Sequence, residues 1–141
     1  MKRDHGIFQV GLKVLLKRGS EVLLLRADNG GLDLPGGRID NVEYTKALEK
    51  IIAREMREEI GPVKYQLGQP LFHYRRYLKD RDVYVFCAVY EAEYLSGTIR
   101  LSSEHTSYAW IDPHTVRLNS KDFRDKEAYR TLKQYFKENY N

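Results

Sequence analysis

Cysteine is nearly missing from this chain: Cys87 is the single one among 141 residues, so no disulfide framework and no cysteine-rich zinc site can form within it. Proline is scarce as well, four residues scattered at Pro35, Pro62, Pro70 and Pro113. With no low-complexity stretch or internal repeat, nothing marks a linker between domains. No apolar run approaches the roughly 20 residues that span a membrane. The start, Met1-Lys2-Arg3-Asp4-His5-Gly6, leads into a strand-like segment without a signal-peptide cleavage pattern, and the expectation is a soluble, cytoplasmic protein with no membrane partner. Charges of one sign are not grouped either. The 24 Lys and Arg are interspersed with 20 Asp and Glu, so there is no basic tail for nucleic acid, which is not expected as a partner.

What is present is enough apolar material, 42% of residues, for one domain over residues 1–141 with its own core. The net charge of +4 favours an anionic partner, which a phosphorylated small molecule, nucleic acid or an acidic surface would each supply, while a solvated surface of both signs carries the same charge. Oligomeric state is left open, a homodimer included.

Phe8 to Leu16 and Glu21 to Arg26 read as a hairpin around Lys17-Arg18-Gly19-Ser20. Asp28 to Gly31 reads as a loop before Leu34-Pro35-Gly36-Gly37-Arg38. Tyr44 to Ile60 has the helical period, with Thr45 as a cap and Gly61 as the stop. Lys64 to Tyr77 contains strand material and Val83 to Ala92 reads as a central strand, joined by Lys79-Asp80-Arg81-Asp82. A further strand is expected before Glu104, another over about Ser107 to Ile111, a short helix after Asp112-Pro113, and a closing helix over Asp122 to Glu138. This order predicts an α/β fold, a mixed β-sheet between helices in an α/β/α sandwich.

The chemistry concentrates on the long helix. At about 100° per residue, Leu48, Ile51, Ile52, Met56 and Ile60 form an apolar arc, with Glu55 and Glu59 projecting into its middle and Glu58 at its edge. The spacing i, i+3, i+4 brings the three carboxylates to one patch. An exposed helix whose arginines neutralise its glutamates is the plain alternative. Against it, Arg57 points to the opposite side and Arg54 lies only on the flank, so a cation should sit among the carboxylates. Three carboxylates with no metal-spaced His or Cys pair form a hard oxygen site suited to Mg²⁺ or Mn²⁺, whose shell phosphate oxygens would complete. Gly36 and Gly37 precede this helix and let backbone approach a ligand closely.

Together, Gly37-x5-Glu43 and Arg54-Glu55-x2-Glu58-Glu59-x-Gly61 resemble the signature of the Nudix hydrolases, G-x5-E-x7-R-E-U-x-E-E-x-G-U with U aliphatic. The likeness covers about residues 7 to 63 closely and extends more loosely to Trp110. Two departures stand out: ten residues separate Glu43 from Arg54 where the family has seven, and Pro62 replaces an aliphatic residue. The resemblance implies a Nudix-like sandwich and divalent metal on Glu55, Glu58 and Glu59, with the Gly36 carbonyl as a further ligand. It implies Arg54 as structural support, paired with a carboxylate such as Glu43, and Glu104 as a downstream ligand or general base.

The activity implied is a pyrophosphohydrolase: water attacks phosphorus and cleaves the phosphoanhydride of a nucleoside diphosphate linked to another moiety, with Glu55, Glu58 and Glu104 as catalytic groups. Arg26, Gly37, Arg38 and Tyr77 are candidate substrate contacts. In Phe72-His73-Tyr74-Arg75-Arg76-Tyr77, aromatics alternate with bases as they do where nucleobases are held, although an ordinary amphipathic strand has the same pattern. The competing reading is a non-catalytic nucleotide- or RNA-binding module on the same fold, against which the complete carboxylate set argues. Cys87 lies in the most apolar strand and reads as a buried hydrophobe, not a nucleophile.

Overall fold

The structure, a computed structural model, describes residues 1–140. Seven strands, β1 (Phe8–Arg18), β2 (Glu21–Ala27), β3 (Leu32–Asp33), β4 (Gly36–Arg38), β5 (Lys64–Leu78), β6 (Val83–Ser96) and β7 (His105–Ile111), form one sheet. Its main path is β3-β2-β1-β6-β5, with β4 also on β1 and β7 on β2. The β1–β6 pair is parallel and all others are antiparallel, so the sheet is mixed, as expected. Helices α1 (Leu48–Ile60) and α2 (Lys126–Asn139) cover opposite faces.

Alternation along β1 explains the two layers. Leu12, Val14 and Leu16 meet Ile51, Ile52, Met56 and Ile60 of α1. On the other face, Leu15 joins Val85, Cys87 and Val89 under Leu132 and Phe136 of α2. Cys87 is buried there, in agreement with its reading as a core residue. The inward face of β1 is not wholly apolar, because Lys13 is also buried.

Four local expectations are corrected. The helix begins at Leu48, not Tyr44, and Thr45 does not cap it: α1 has no side-chain cap at Ala47. A separate 3₁₀ turn over Asn41–Glu43 precedes it, closed by the Asp40 N–H donating to Glu43 Oε1 at 3.0 Å. In consequence Leu48 is exposed, while the rest of the predicted apolar arc is buried. No further strand stands between β6 and Glu104. Residues 97–104 instead cross the end of α1, with Arg100 N–H donating to Ile60 O at 2.8 Å and Ser102 N–H to Glu59 O at 3.2 Å. These bonds satisfy carbonyls that a helix end leaves unpartnered, so the segment is drawn to α1 and away from the sheet.

After Pro113 there is a single turn on Asp112, not a helix. The last helix starts at Lys126, where the Asp125 carboxylate accepts the N–H groups of Glu127 and Ala128. That makes Asp125, three residues after the expected start at Asp122, the N-cap. Among the described residues, no helix is long and apolar enough to cross a membrane.

Candidate active site

The Gly36–Gly37 loop and one face of α1 meet because β4 pairs with β1, placing Gly37 opposite Leu12 and Gly36 opposite Lys13. Gly36 has φ +135°, and a Cβ there would stand 2.1 Å from Leu12 O and 2.7 Å from Lys13 Cα. Only glycine admits both the conformation and the approach. At Gly37 a Cβ would lie 2.2 Å from Glu55 Oε2, so the missing side chain is what makes room for that carboxylate.

Three of the chain's few buried charged residues are Glu43, Glu55 and Glu59, and each has a different environment. Glu43 meets Arg54 side-on, Nε donating to Oε2 at 2.8 Å and Nη2 to Oε1 at 2.7 Å. These hydrogen bonds to Arg54, with the Asp40 N–H, hold the Glu43 carboxyl down at about 2. The three extra residues between Glu43 and Arg54 therefore do not separate the pair. They are absorbed in the exposed turn at residues 44–47, before α1 starts.

Glu59 accepts the Gly36 N–H at 2.8 Å on Oε1, and its Oε2 lies 3.6 Å from His105 Nε2. Burial raises its pKa to about 7 against the opposing pull of Lys13 and the Gly36 N–H. Burial also raises Glu55, with the Arg54 charge pulling the other way. Arg54 does not stay on the flank as expected: its Nη1 lies 3.0 Å from Glu55 Oε1 and 3.2 Å from Glu58 Oε2, because a long guanidinium side chain reaches across the helix face. Glu58 itself points to solvent. With Arg54 collecting these two carboxylates, no group of three or more His, Cys, Asp or Glu among the described residues stands in ligand geometry. Glu58 is exposed, one turn from Glu55 and next to Glu59, and the all-oxygen donor set against the glycine pair fits a hard divalent cation.

The other predicted residues lie further out. Glu104 is exposed on the loop across the end of α1, its carbonyl accepting the Asp28 N–H at 3.0 Å. Arg26 donates to Gly30 O at 2.5 Å and Arg38 to Gln9 Oε1 at 2.8 Å, so both guanidinium groups have partners within the protein. Tyr77 is remote along the sheet, its hydroxyl donating to Asp82 at 2.6 Å and its ring 4.9 Å from that of Tyr84.

Two further residues reach the site: Lys13, which the sequence reading does not single out, and His105, which it takes as orienting or structural and not as a ligand. Lys13 donates to Asp33 Oδ2 at 2.9 Å and Leu34 O at 3.3 Å. Burial opposes its charge, but Asp33 and Glu59 together raise its pKa above the ordinary lysine value. A lysine between Leu12 and Val14 in the apolar middle of β1 is the available signal. His105, whose pKa burial lowers, has Nδ1 3.4 Å from Ser102 Oγ. No spacing along the sequence announces its approach to Glu59.

The comparisons agree with this fold. The NUDIX domain family model matches residues 8–132. A MutT-like protein of Streptomyces ambofaciens is 29% identical over 112 residues, covering 79% of this chain and 67% of that protein. The MutT protein of Methanosarcina mazei Go1 superposes with a TM-score of 0.72 at 23% identity, over 93% of this chain and 94% of that one. An ADP-ribose pyrophosphatase from Streptococcus suis gives 0.67 at 14% identity, over 92% and 90%. A family match across most of the chain, on a fold that brings Gly36, Gly37, Glu55 and Glu59 together, establishes that this protein belongs to the NUDIX family and is a Nudix-type hydrolase.

Proposed function

We propose that this protein hydrolyses the phosphoanhydride bond of a nucleoside diphosphate linked to another moiety, with Mg²⁺ or Mn²⁺ held by Glu55, Glu58, Glu59 and the Gly36 carbonyl. The observation that carries the reading is the pair of desolvated carboxylates, Glu55 and Glu59, turned onto a glycine loop with exposed Glu58 beside them. Desolvated like charges so close together are unfavourable unless a cation joins them. When bound, the metal supplies neutralisation of phosphate charge and an acidified water.

The chain's own residues do the rest. Arg54, fixed by Glu43, holds Glu55 and Glu58 near the reaction. A carboxylate, Glu55 within the site or Glu104 on the loop across α1, takes the proton of the attacking water. The nucleoside end has a place on the open part of the sheet. Phe8 and Val10 continue along β1 on the face of Leu12, and Tyr84, Phe86 and Tyr77 stand beside them. Phe8 and Tyr84 rings are 5.4 Å apart, and both are about half exposed. Four residues of strand put Phe8 roughly 13 Å from Leu12, a span that suits phosphates at the carboxylates and a base on the aromatics.

The test is phosphate release with Mg²⁺ or Mn²⁺ from nucleoside triphosphates, ADP-ribose, dinucleoside polyphosphates and nucleotide sugars, with auxiliary phosphatase or pyrophosphatase. Metal-dependent release from one class is expected, with Tyr84→Ala raising KM more than it lowers kcat. Silence throughout, in folded protein that still binds Mn²⁺ and nucleotide, would establish the binding-module reading instead.

A further inference from the structure

Lys13 has no part in the activity described above, yet its surroundings are unusual. It is 8% exposed on a strand whose neighbours are aliphatic, and its ammonium touches Asp33 Oδ2 and Leu34 O. Both partners lie on the stretch immediately before Gly36. The main chain binds the same stretch nearby, Val14 N–H donating to Pro35 O at 2.9 Å. The stretch then ends in the Gly36 N–H that holds Glu59 Oε1.

We propose that Lys13 is a positioning residue for the metal site. Its ammonium pins residues 33–36 to β1 and thereby sets where Gly36 presents its backbone to Glu59 and to the cation. This rests on the metal-site reading above and adds a residue to it. The physical reason is geometric. The loop has only a two-residue strand, Leu32–Asp33, and a three-residue one, Gly36–Arg38, on either side, and Leu34 and Pro35 lie outside regular pairing. Backbone bonds alone leave the Leu34 carbonyl unpaired in a buried position, and a buried carbonyl without a donor is costly. The lysine supplies that donor, while Asp33 balances its charge and so permits an ammonium to be buried at all.

A role through charge and a role through position predict opposite results. Lys13→Met removes a positive charge near the carboxylates, and on charge alone it would tighten a divalent cation. Loss of the pin would weaken it. The decisive variant is Lys13→Met combined with Asp33→Asn, which restores the wild-type net charge, removes both members of the Lys13–Asp33 ion pair and still deletes the tether on Leu34 O. It also keeps the test open if Lys13→Met alone fails to fold.

Mn²⁺ affinity is read from the free-ion EPR signal, with near-ultraviolet circular dichroism to certify the fold, and with Glu59→Gln as the reference for specific binding. For the double variant, a 10- to 100-fold weaker Mn²⁺ affinity is expected, of the order seen when groups supporting metal ligands are lost, with kcat reduced and KM for the nucleotide little changed. Wild-type affinity in the folded double variant, or tighter binding in Lys13→Met, would overturn the proposal for Lys13 alone. If the wild-type protein shows no Mn²⁺ binding that Glu59→Gln removes, the metal-site reading itself falls.

Discussion

Replacing Glu59 with glutamine is expected to stabilise the protein in EDTA above neutral pH while removing its response to Mn²⁺. In the fold the Glu59 carboxyl titrates at about 7, against 4.5 ordinarily. A pKa raised in the native state means that the native protein holds this proton more tightly than the unfolded chain. The ionised side chain is therefore no burden below pH 4.5, destabilises progressively as the pH rises from 4.5 to about 7, and exerts its full effect above that. At about 1.4 kcal/mol per pH unit the full effect is about 3 kcal/mol. Glutamine keeps an acceptor for the Gly36 N–H but introduces an amide group to be satisfied, which takes back about 1 kcal/mol. The remaining gain of about 1–2 kcal/mol corresponds to roughly 3–8 °C in Tm for a chain of this size. The assay is thermal unfolding of both proteins in EDTA at pH 5 and pH 8, repeated with Mn²⁺ at pH 8. The glutamine variant should melt higher at pH 8, the difference should nearly vanish at pH 5, and only wild-type Tm should climb with Mn²⁺. A variant that melts below wild type at pH 8 in EDTA, or a gap that widens toward pH 5, would refute the assignment of Glu59 as a desolvated carboxylate kept for its ligand.

Other outcomes can be checked alongside. Glu58→Gln, at an exposed position, should lower kcat by orders of magnitude with Tm almost unchanged; an unchanged rate would move the active site elsewhere. Gly37→Ala should fold, because the Glu55 side chain can yield to the new methyl. Displacing that carboxylate by about 1 Å should reduce kcat about 100-fold, as single-turnover kinetics would show. Glu43→Gln breaks the side-on pair with Arg54 and should reduce kcat/KM by about 10- to 100-fold. Since the Glu43 carboxyl is held at about 2, its contribution to stability is present above pH 4.5 and lost as the pH falls toward 2. Wild-type and variant melting curves should converge in that interval.

Much of this protein was determined locally and is legible in its sequence. The period of residues 48–60 specifies which side of α1 is buried, and it placed Glu55 and Glu59 among core residues before any fold was known. Gly36 and Gly37 mark a close backbone approach, and the apolar run of residues 83–92 marks a strand covered on both faces. These signals survive because a helical or strand period converts spacing directly into direction. The fold alone decided the rest. It showed that ten residues can separate Glu43 from Arg54 without parting them, since an insertion in an exposed turn changes the path and not the endpoints. It carried residues 97–104 across the end of α1, where helix carbonyls needed donors, and so brought His105 to Glu59. It also put Lys13 behind the glycine loop, because β4 pairs with β1 at that residue. Long-range pairing, helix-end hydrogen bonds and the balance of buried charge depend on partners distant in the chain, and no local pattern encodes which partner will arrive.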